Sequence, residues 1–95
     1  MVEVIITRTA RQDLTDIGDY ISQQSPERAQ ALIDKLLLRI SVLEKHPEIG
    51  YPIPELNDPA LRQLLESNYR ILYQIASEKI IYILRFLHSK RQLEL

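Results

Sequence analysis

The sequence contains no cysteine and no tryptophan, only two glycines, and no long hydrophobic run. Without cysteine the chain can form neither a disulfide nor a cysteine-ligated zinc site. Its longest uninterrupted apolar run, Ile80 to Leu84, is far shorter than the roughly 20 residues that a transmembrane helix needs. Residues 1–7 also lack the basic and apolar regions of a secretory signal peptide. We therefore expect a cytoplasmic protein with no membrane contact.

Several kinds of catalytic site are equally unsupported by the sequence. The glycines, Gly18 and Gly50, stand far apart, so no glycine-rich phosphate-binding loop is present. The two histidines, His46 and His88, are too few and too scattered to indicate a metal site. No nucleophile elbow can be recognised. The sequence thus predicts neither a cofactor nor a bound metal ion.

Length and charge indicate one ordinary globular domain that spans residues 1–95. The chain is 45% hydrophobic and 26% charged, with a net charge of −1, which argues against a strongly basic nucleic-acid binder. The charge is unevenly distributed. Residues 60–95 carry six basic and three acidic residues, net +3, whereas residues 1–59 carry six basic and ten acidic residues, net −4. Two interpretations remain open: solvated surfaces of opposite sign, or a basic surface that meets an anionic partner.

The first half of the chain predicts a strand and two helices. The β-branched segment 2–7 is typical of a strand. Thr9 and Gln12 have the spacing of a capping box, after which apolar residues recur at helical spacing. The aspartates beside this stripe are expected on a solvated face; they are Asp13, Asp16 and Asp19. Ser25 and Pro26 predict the start of a second helix, which should end near Lys45–His46, before Pro47.

The second half predicts an irregular loop followed by three strands. Residues 47–59 contain four of the five prolines and no periodic pattern, so we expect an ordered loop. Segments 61–66, 69–76 and 80–87 are predicted as strands joined by short turns, which is typical of an antiparallel meander. The last segment is apolar at nearly every position, as in a central strand. The predicted fold is α+β, in the order β-α-α-β-β-β, with an αα-hairpin on one face of a small antiparallel sheet.

Polar residues near the last strands are the candidates for chemistry: Arg62, Glu66, Arg70, Arg85, His88, Lys90 and Arg91. Guanidinium groups suit phosphate, and a histidine can transfer a proton at neutral pH. The alternative is structural. Arg70 and Arg85 can pair with acids on the helices, and Lys90–Arg91 can be solvated. The alternating Tyr69, Tyr73 and Tyr82 are more typical of sheet packing than of base stacking.

The order of several motifs resembles the ParE/RelE toxins of bacterial toxin–antitoxin systems. Tyr69–Tyr73 resembles the family's strand YRI-x-Y, and the apolar strand that follows ends in the family's His-x-x-Arg, here His88 to Arg91. Pro47–Pro52 is similar to its loop P-x-x-G-x-P, and Ala10–Ile21 to its first helix. The resemblance extends over almost the whole chain.

The resemblance implies a toxin that a small antitoxin neutralises, in a toxin–antitoxin hetero-oligomer. ParE-like members inhibit DNA gyrase, and RelE-like members cut mRNA on the ribosome. The weak net charge favours the ParE-like branch, with gyrase inhibition and plasmid stabilisation as expected roles. Arg62, Arg85, Lys90 and Arg91 are then the candidates for target contacts. The alternatives are a ribosome-dependent endoribonuclease that uses Arg70, His88 and Glu66, or a non-toxic module that only binds an antitoxin.

Overall fold

A computed structural model describes residues 1–90 and has the predicted order of elements. These are β1 (Glu3–Ile6), α1 (Arg8–Ser22), α2 (Pro26–Ser41), a 3₁₀ turn (Val42–Glu44), β2 (Tyr51–Pro52), β3 (Leu61–Glu66), β4 (Tyr69–Ile75) and β5 (Ile80–His88). The two-residue strand β2 was not predicted, because it lies within the proline-rich segment and pairs only briefly with β3. The domain is α+β, with the two helices packed on the sheet.

The five strands form one sheet in the order β1-β5-β4-β3-β2. Strands β3, β4 and β5 are antiparallel neighbours, which confirms the predicted meander. In contrast, β1 pairs parallel with β5, with Glu3 opposite Ile80 and Ile6 opposite Ile83, so the sheet is mixed and not wholly antiparallel. No short turn joins these two strands, and hairpin geometry therefore does not constrain their direction. As predicted, β5 is a central strand.

Helix α1 begins earlier than the predicted capping box at Thr9 and Gln12. Its N-cap is Thr7, whose hydroxyl accepts the Ala10 N–H at 3.2 Å and donates to the Ile83 carbonyl at 2.8 Å. The Gln12 amide instead bonds to the Asp16 carboxylate at 2.9 Å. The helix starts at Arg8 because β5 holds the capping hydroxyl at the end of β1, a contact that local sequence does not reveal.

The second helix agrees closely with its sequence signals. The Ser25 hydroxyl accepts the Arg28 N–H at 3.2 Å, and Pro26 is the first helical residue. The α-helix ends at Ser41, and the 3₁₀ turn carries the helical conformation to Glu44, next to the predicted end at Lys45–His46. Pro26 at the first turn and Pro47 after the 3₁₀ turn thus bound this helical segment.

Each face of the sheet is covered by a different part of the chain. The helices cover one face, here called the helix face, with a core that includes Leu36, Leu64, Ile71, Tyr73 and Ile83. The loop before β3 covers the opposite face, here called the loop face, where Ile53 packs with Leu72 and Leu87. Ile53 is 1% exposed, so this part of the proline-rich loop packs against the sheet.

Candidate functional site

Arg70 lies on the loop face and bonds to Glu55 and Gln63. Its Nη1 and Nη2 atoms bond to Oε2 and Oε1 of Glu55 at 2.9 and 2.7 Å, and its Nε donates to the Gln63 side-chain oxygen at 2.7 Å. Arg70 is only 6% exposed. The bidentate pair uses the Nη1–Nη2 edge of the guanidinium group, and Nε is used by Gln63. Arg70 therefore anchors the proline-rich loop to the sheet.

Glu66 and His88 lie in one row with Tyr69, across three adjacent strands. Glu66 is opposite Tyr69 in the β3–β4 register, and His88 is opposite Tyr69 in the β4–β5 register. The rings of Tyr69 and His88 meet edge to face, with centroids 5.6 Å apart. Tyr69 packs against the helix-face core, so this row lies on the helix face. Burial raises the pKa of the Tyr69 hydroxyl, and Tyr20 adds to the shift.

The predicted ribonuclease residues are consequently divided between the two faces of the sheet. Successive residues of a strand point to opposite faces, so Arg70 and its neighbour Tyr69 project in opposite directions. The His88 ring contacts Tyr69 and lies on the same face, whereas the Arg70 side chain bonds to Gln63 and Glu55 on the other face. The structure brings Glu66 and His88 to one row and leaves Arg70 outside it.

Arg85 joins β5 to α1 through Asp13. The Arg85 Nε and Nη2 atoms donate to Oδ2 and Oδ1 of Asp13 at 2.8 and 3.0 Å, and the Phe86 N–H donates to Asp13 Oδ2 at 2.9 Å. The hydrogen bond that Arg85 donates to Asp13 raises the pKa of Arg85 above its ordinary value. Because β1 ends at Ile6, the Asp13 carboxylate occupies the edge of β5 where a neighbouring strand would continue. The prediction that Asp13 lies on a solvated face is wrong.

Arg62 organises the segment that resembles the family's loop. Its Nη1 donates to the carbonyls of Gly50 and Glu48 at 3.0 and 3.3 Å, and its Nε donates to the Pro59 carbonyl at 3.0 Å. Next to it, the Tyr73 hydroxyl accepts the Gly50 N–H at 2.9 Å and donates to the carbonyl of Pro47 at 2.8 Å. Desolvation is the main cause that raises the pKa of Tyr73.

Gly50 is required in this loop because of space. A Cβ at Gly50 would lie 2.5 Å from the Tyr73 hydroxyl oxygen and 2.7 Å from the Gln63 carbonyl oxygen. Neither atom can withdraw easily, since Tyr73 is fully buried and the Gln63 oxygen belongs to the backbone. Gly50 of the loop motif and Tyr73 of the strand motif thus pack directly against each other.

The last two candidates, Lys90 and Arg91, follow β5 in the sequence. Lys90 is exposed, and its backbone N–H donates to Nδ1 of His88 at 3.3 Å. Within residues 1–90 its ammonium group takes part in no ion pair. Arg91 lies outside the described residues.

The expected pairing of Arg70 and Arg85 with acids on the helices is confirmed for Arg85, whose partner Asp13 lies on α1. For Arg70 it is wrong, because its partners Glu55 and Gln63 lie in the loop and on β3. A signal for Asp13 was present, because Arg85 is the only charge in an apolar strand and such a residue needs a partner. Nothing comparable indicated Glu55, which lies among prolines. In the part of the chain that the structure describes, no group of three acidic or histidine side chains could hold a metal ion. In the same residues, no helix is long and apolar enough to cross a membrane.

Comparison with known proteins identifies relatives along nearly the whole chain. The family model described as ParE toxin of type II toxin–antitoxin system, parDE, matches residues 4–93. Toxin RelE2 from Caulobacter vibrioides is 32% identical over 91 residues, which are 96% of this chain and 99% of that protein.

Two solved structures are similar in fold. A chain of the chromosomal ParDE TA system from P. aeruginosa superposes with a TM-score of 0.77 at 27% identity, over 95% of this chain and 98% of that one. A chain of the toxin–antitoxin complex RelBE2 from Mycobacterium tuberculosis gives a TM-score of 0.58 at 25% identity, over 92% and 96% of the two chains. The chain therefore belongs to the ParE toxin family of type II toxin–antitoxin systems, within the wider ParE/RelE superfamily.

Proposed function

We propose that this toxin acts in the cytoplasm by binding and inhibiting DNA gyrase, and that it does not cut RNA. The supporting observation is the division of the nuclease candidates, with Arg70 on the loop face and His88 on the helix face. A general acid and a phosphate-binding group must reach the same scissile bond. Arg70 is also engaged by Glu55 and Gln63, so its guanidinium group serves the fold.

The proposed contacts with gyrase are made by the basic residues that follow β5 in the sequence. Of the four residues considered for this role, Arg62 and Arg85 are occupied by carbonyls and by Asp13. Replacing Arg62 or Arg85 would therefore affect stability directly, so it would not isolate a loss of target binding. Lys90, with an exposed side chain, and its neighbour Arg91 remain as the candidates for the contact.

We further propose that a small antitoxin encoded beside this protein neutralises it in a hetero-oligomer. The ParDE and RelBE2 relatives are described as a toxin–antitoxin system and a toxin–antitoxin complex. A partner that binds only the folded toxin stabilises it by mass action. Co-purification with the neighbouring gene product should therefore raise the melting temperature of the toxin.

The purified toxin tests the gyrase proposal directly. We expect it to stop supercoiling by gyrase and to accumulate cleaved DNA, whereas mRNA on programmed ribosomes stays intact. Lys90→Ala should weaken the inhibition without changing the melting temperature, and Lys79→Ala, another exposed lysine in the turn before β5, is the control. Full supercoiling activity at saturating toxin would refute the proposal.

An endoribonuclease remains the second candidate because Glu66, Tyr69 and His88 share one row, with His88 exposed. His88→Gln separates the two functions. A general acid contributes about 10²–10⁴-fold to the rate, so a nuclease would lose its toxicity. We expect His88→Gln to stay folded and toxic. A folded, non-toxic variant that no longer cleaves mRNA on ribosomes would establish the nuclease instead.

A further inference from the structure

A pocket of about 650 Å³ lies on the loop face, next to the residues that follow β5. Its volume is within the usual range of ligand sites. The Glu55–Arg70 pair lines it, together with Leu65 from β3 and with Lys90. Leu65 is directly opposite Arg70 in the β3–β4 register, so the two side chains lie side by side on one face of the sheet.

Leu65 supplies this pocket with an apolar group that contacts solvent. Its side chain is 53% exposed, whereas the other large apolar residues of β3, β4 and β5, strands that lie wholly within residues 1–90, are buried or half-buried. Pro54, which is also exposed, lines the same pocket. A single exposed leucine is common on protein surfaces. It therefore indicates a binding surface only together with the charges beside it.

The charges of the pocket leave one cation in excess. Glu55 and Arg70 neutralise each other through hydrogen bonds of 2.7 and 2.9 Å. Lys90 lines the same pocket, and within residues 1–90 its ammonium group takes part in no ion pair. An uncompensated positive charge thus lies close to an exposed apolar side chain.

Hydrogen bonds hold both sides of the pocket in place. The Ser89 N–H donates to the Asn68 carbonyl at 2.7 Å, which ties the residue before Lys90 to the β3–β4 turn. On the other side, the buried Arg70 is fixed by Gln63 and Glu55. Because these groups are already ordered, a partner that binds here loses less conformational entropy.

The same contacts favour a protein segment over a nucleic acid. A phosphate in the pocket would lie near the Glu55 carboxylate, and the Nη1–Nη2 edge of Arg70 already holds that carboxylate. Bidentate binding of a phosphate uses such an edge. The single charge of Lys90 and the neighbouring Leu65 instead suit one carboxylate beside an aliphatic side chain.

We propose that this pocket docks an acidic, apolar segment of the protein target, with an aliphatic side chain on Leu65 and a carboxylate at Lys90. This inference rests on the proposed inhibition of gyrase, and it extends the contact surface from Lys90 onto β3. An apolar group with a charge at its rim is the usual arrangement of protein interfaces.

Supercoiling by purified gyrase, measured at increasing toxin concentration, tests the role of Leu65. Leu65→Gln should raise the concentration for half-inhibition roughly 3- to 10-fold, because the exposed half of one leucine side chain is no longer buried on binding. Leu65→Ile keeps the apolar surface and should inhibit as the wild type does. Leu38→Gln on α2, where the leucine is 71% exposed and outside the pocket, is the matched control and should leave inhibition unchanged.

Melting temperatures show whether each variant is folded, and Leu65→Thr, which keeps the β-branched preference of a strand, replaces Leu65→Gln if that variant unfolds. Unchanged inhibition by the folded variant, or equal weakening by Leu38→Gln, would overturn the inference. Binding of a short oligothymidylate that Lys90→Ala weakens and Leu65→Gln does not would assign the pocket to nucleic acid. A toxin dimer that Leu65→Gln dissociates, seen by light scattering, would assign it to a second copy. If the wild-type toxin leaves gyrase active, the proposed function itself fails.

Discussion

Asp13 and Arg85, 72 residues apart in the chain, are joined by two hydrogen bonds of 2.8 and 3.0 Å. Asp13→Ala should lower the free energy of unfolding by about 1–3 kcal/mol, because the Phe86 N–H at the edge of β5 also loses its acceptor. Asp19→Ala, an exposed aspartate of the same helix, should change it by about 0.5 kcal/mol or less. Urea unfolding measures both variants. In a double-mutant cycle with Arg85→Ala, additive losses would contradict a direct interaction.

The two glycines should respond to alanine in opposite directions. Gly50→Ala places a Cβ 2.5 Å from the Tyr73 hydroxyl oxygen and should destabilise the fold by about 1–3 kcal/mol. Gly18 lies inside α1 with Ile33 no closer than 3.9 Å, so Gly18→Ala should stabilise by about 0.5–1 kcal/mol through helix propensity. Thermal unfolding of both variants tests the prediction. A tolerated Gly50→Ala would mean that the loop can move away from Tyr73.

Removing one partner of the Glu55–Arg70 pair should lower the free energy of unfolding more than replacing both partners. Either Glu55→Ala or Arg70→Ala leaves one charge in a largely buried place, with an expected loss of about 3 kcal/mol. Glu55→Leu combined with Arg70→Met keeps the volume and removes both charges, so it should recover much of that loss. The comparison uses urea midpoints. If Arg70→Ala is as stable as the wild type but loses toxicity, Arg70 serves the target and not the fold.

Because Tyr73 is buried, we expect the free energy of unfolding to fall at alkaline pH. Its pKa is raised in the folded protein above the ordinary value of 10.0. As the pH rises past about 10, the unfolded tyrosine loses its proton while the folded one keeps it, so the free energy of unfolding falls. Tyr73→Phe should be less stable at neutral pH, because the Gly50 N–H loses its acceptor, but should lose less stability above pH 10. A constant difference between the two proteins across this range would contradict the prediction.

Local pattern was sufficient for most elements of this fold. Ser25 and Pro26 define the start of α2 because capping and proline geometry act within one turn. The apolar run in β5 indicated a central strand, since a strand covered on both faces needs apolar side chains at both parities. The candidate residues Arg62, Arg70 and Arg85 were also found from sequence, as was the expectation of a helical acid for Arg85. The partner of Arg70 was not, because Glu55 of the irregular loop is brought to it only by folding.

Only the tertiary structure decided which candidates share a face of the sheet. The β4–β5 register shifts between Leu72 and Tyr73, so Leu72 is opposite Arg85 whereas Tyr73 is opposite Ile83. At this bulge the alternation of side chains between the two faces of the sheet shifts by one residue along β5. Because β5 is apolar at nearly every position, the sequence does not show where the shift occurs. The composition and order of residues therefore determined an α+β toxin domain. The pairing of strands, which depends on contacts between distant segments, placed His88 beside Tyr69 and Arg70 on the other face.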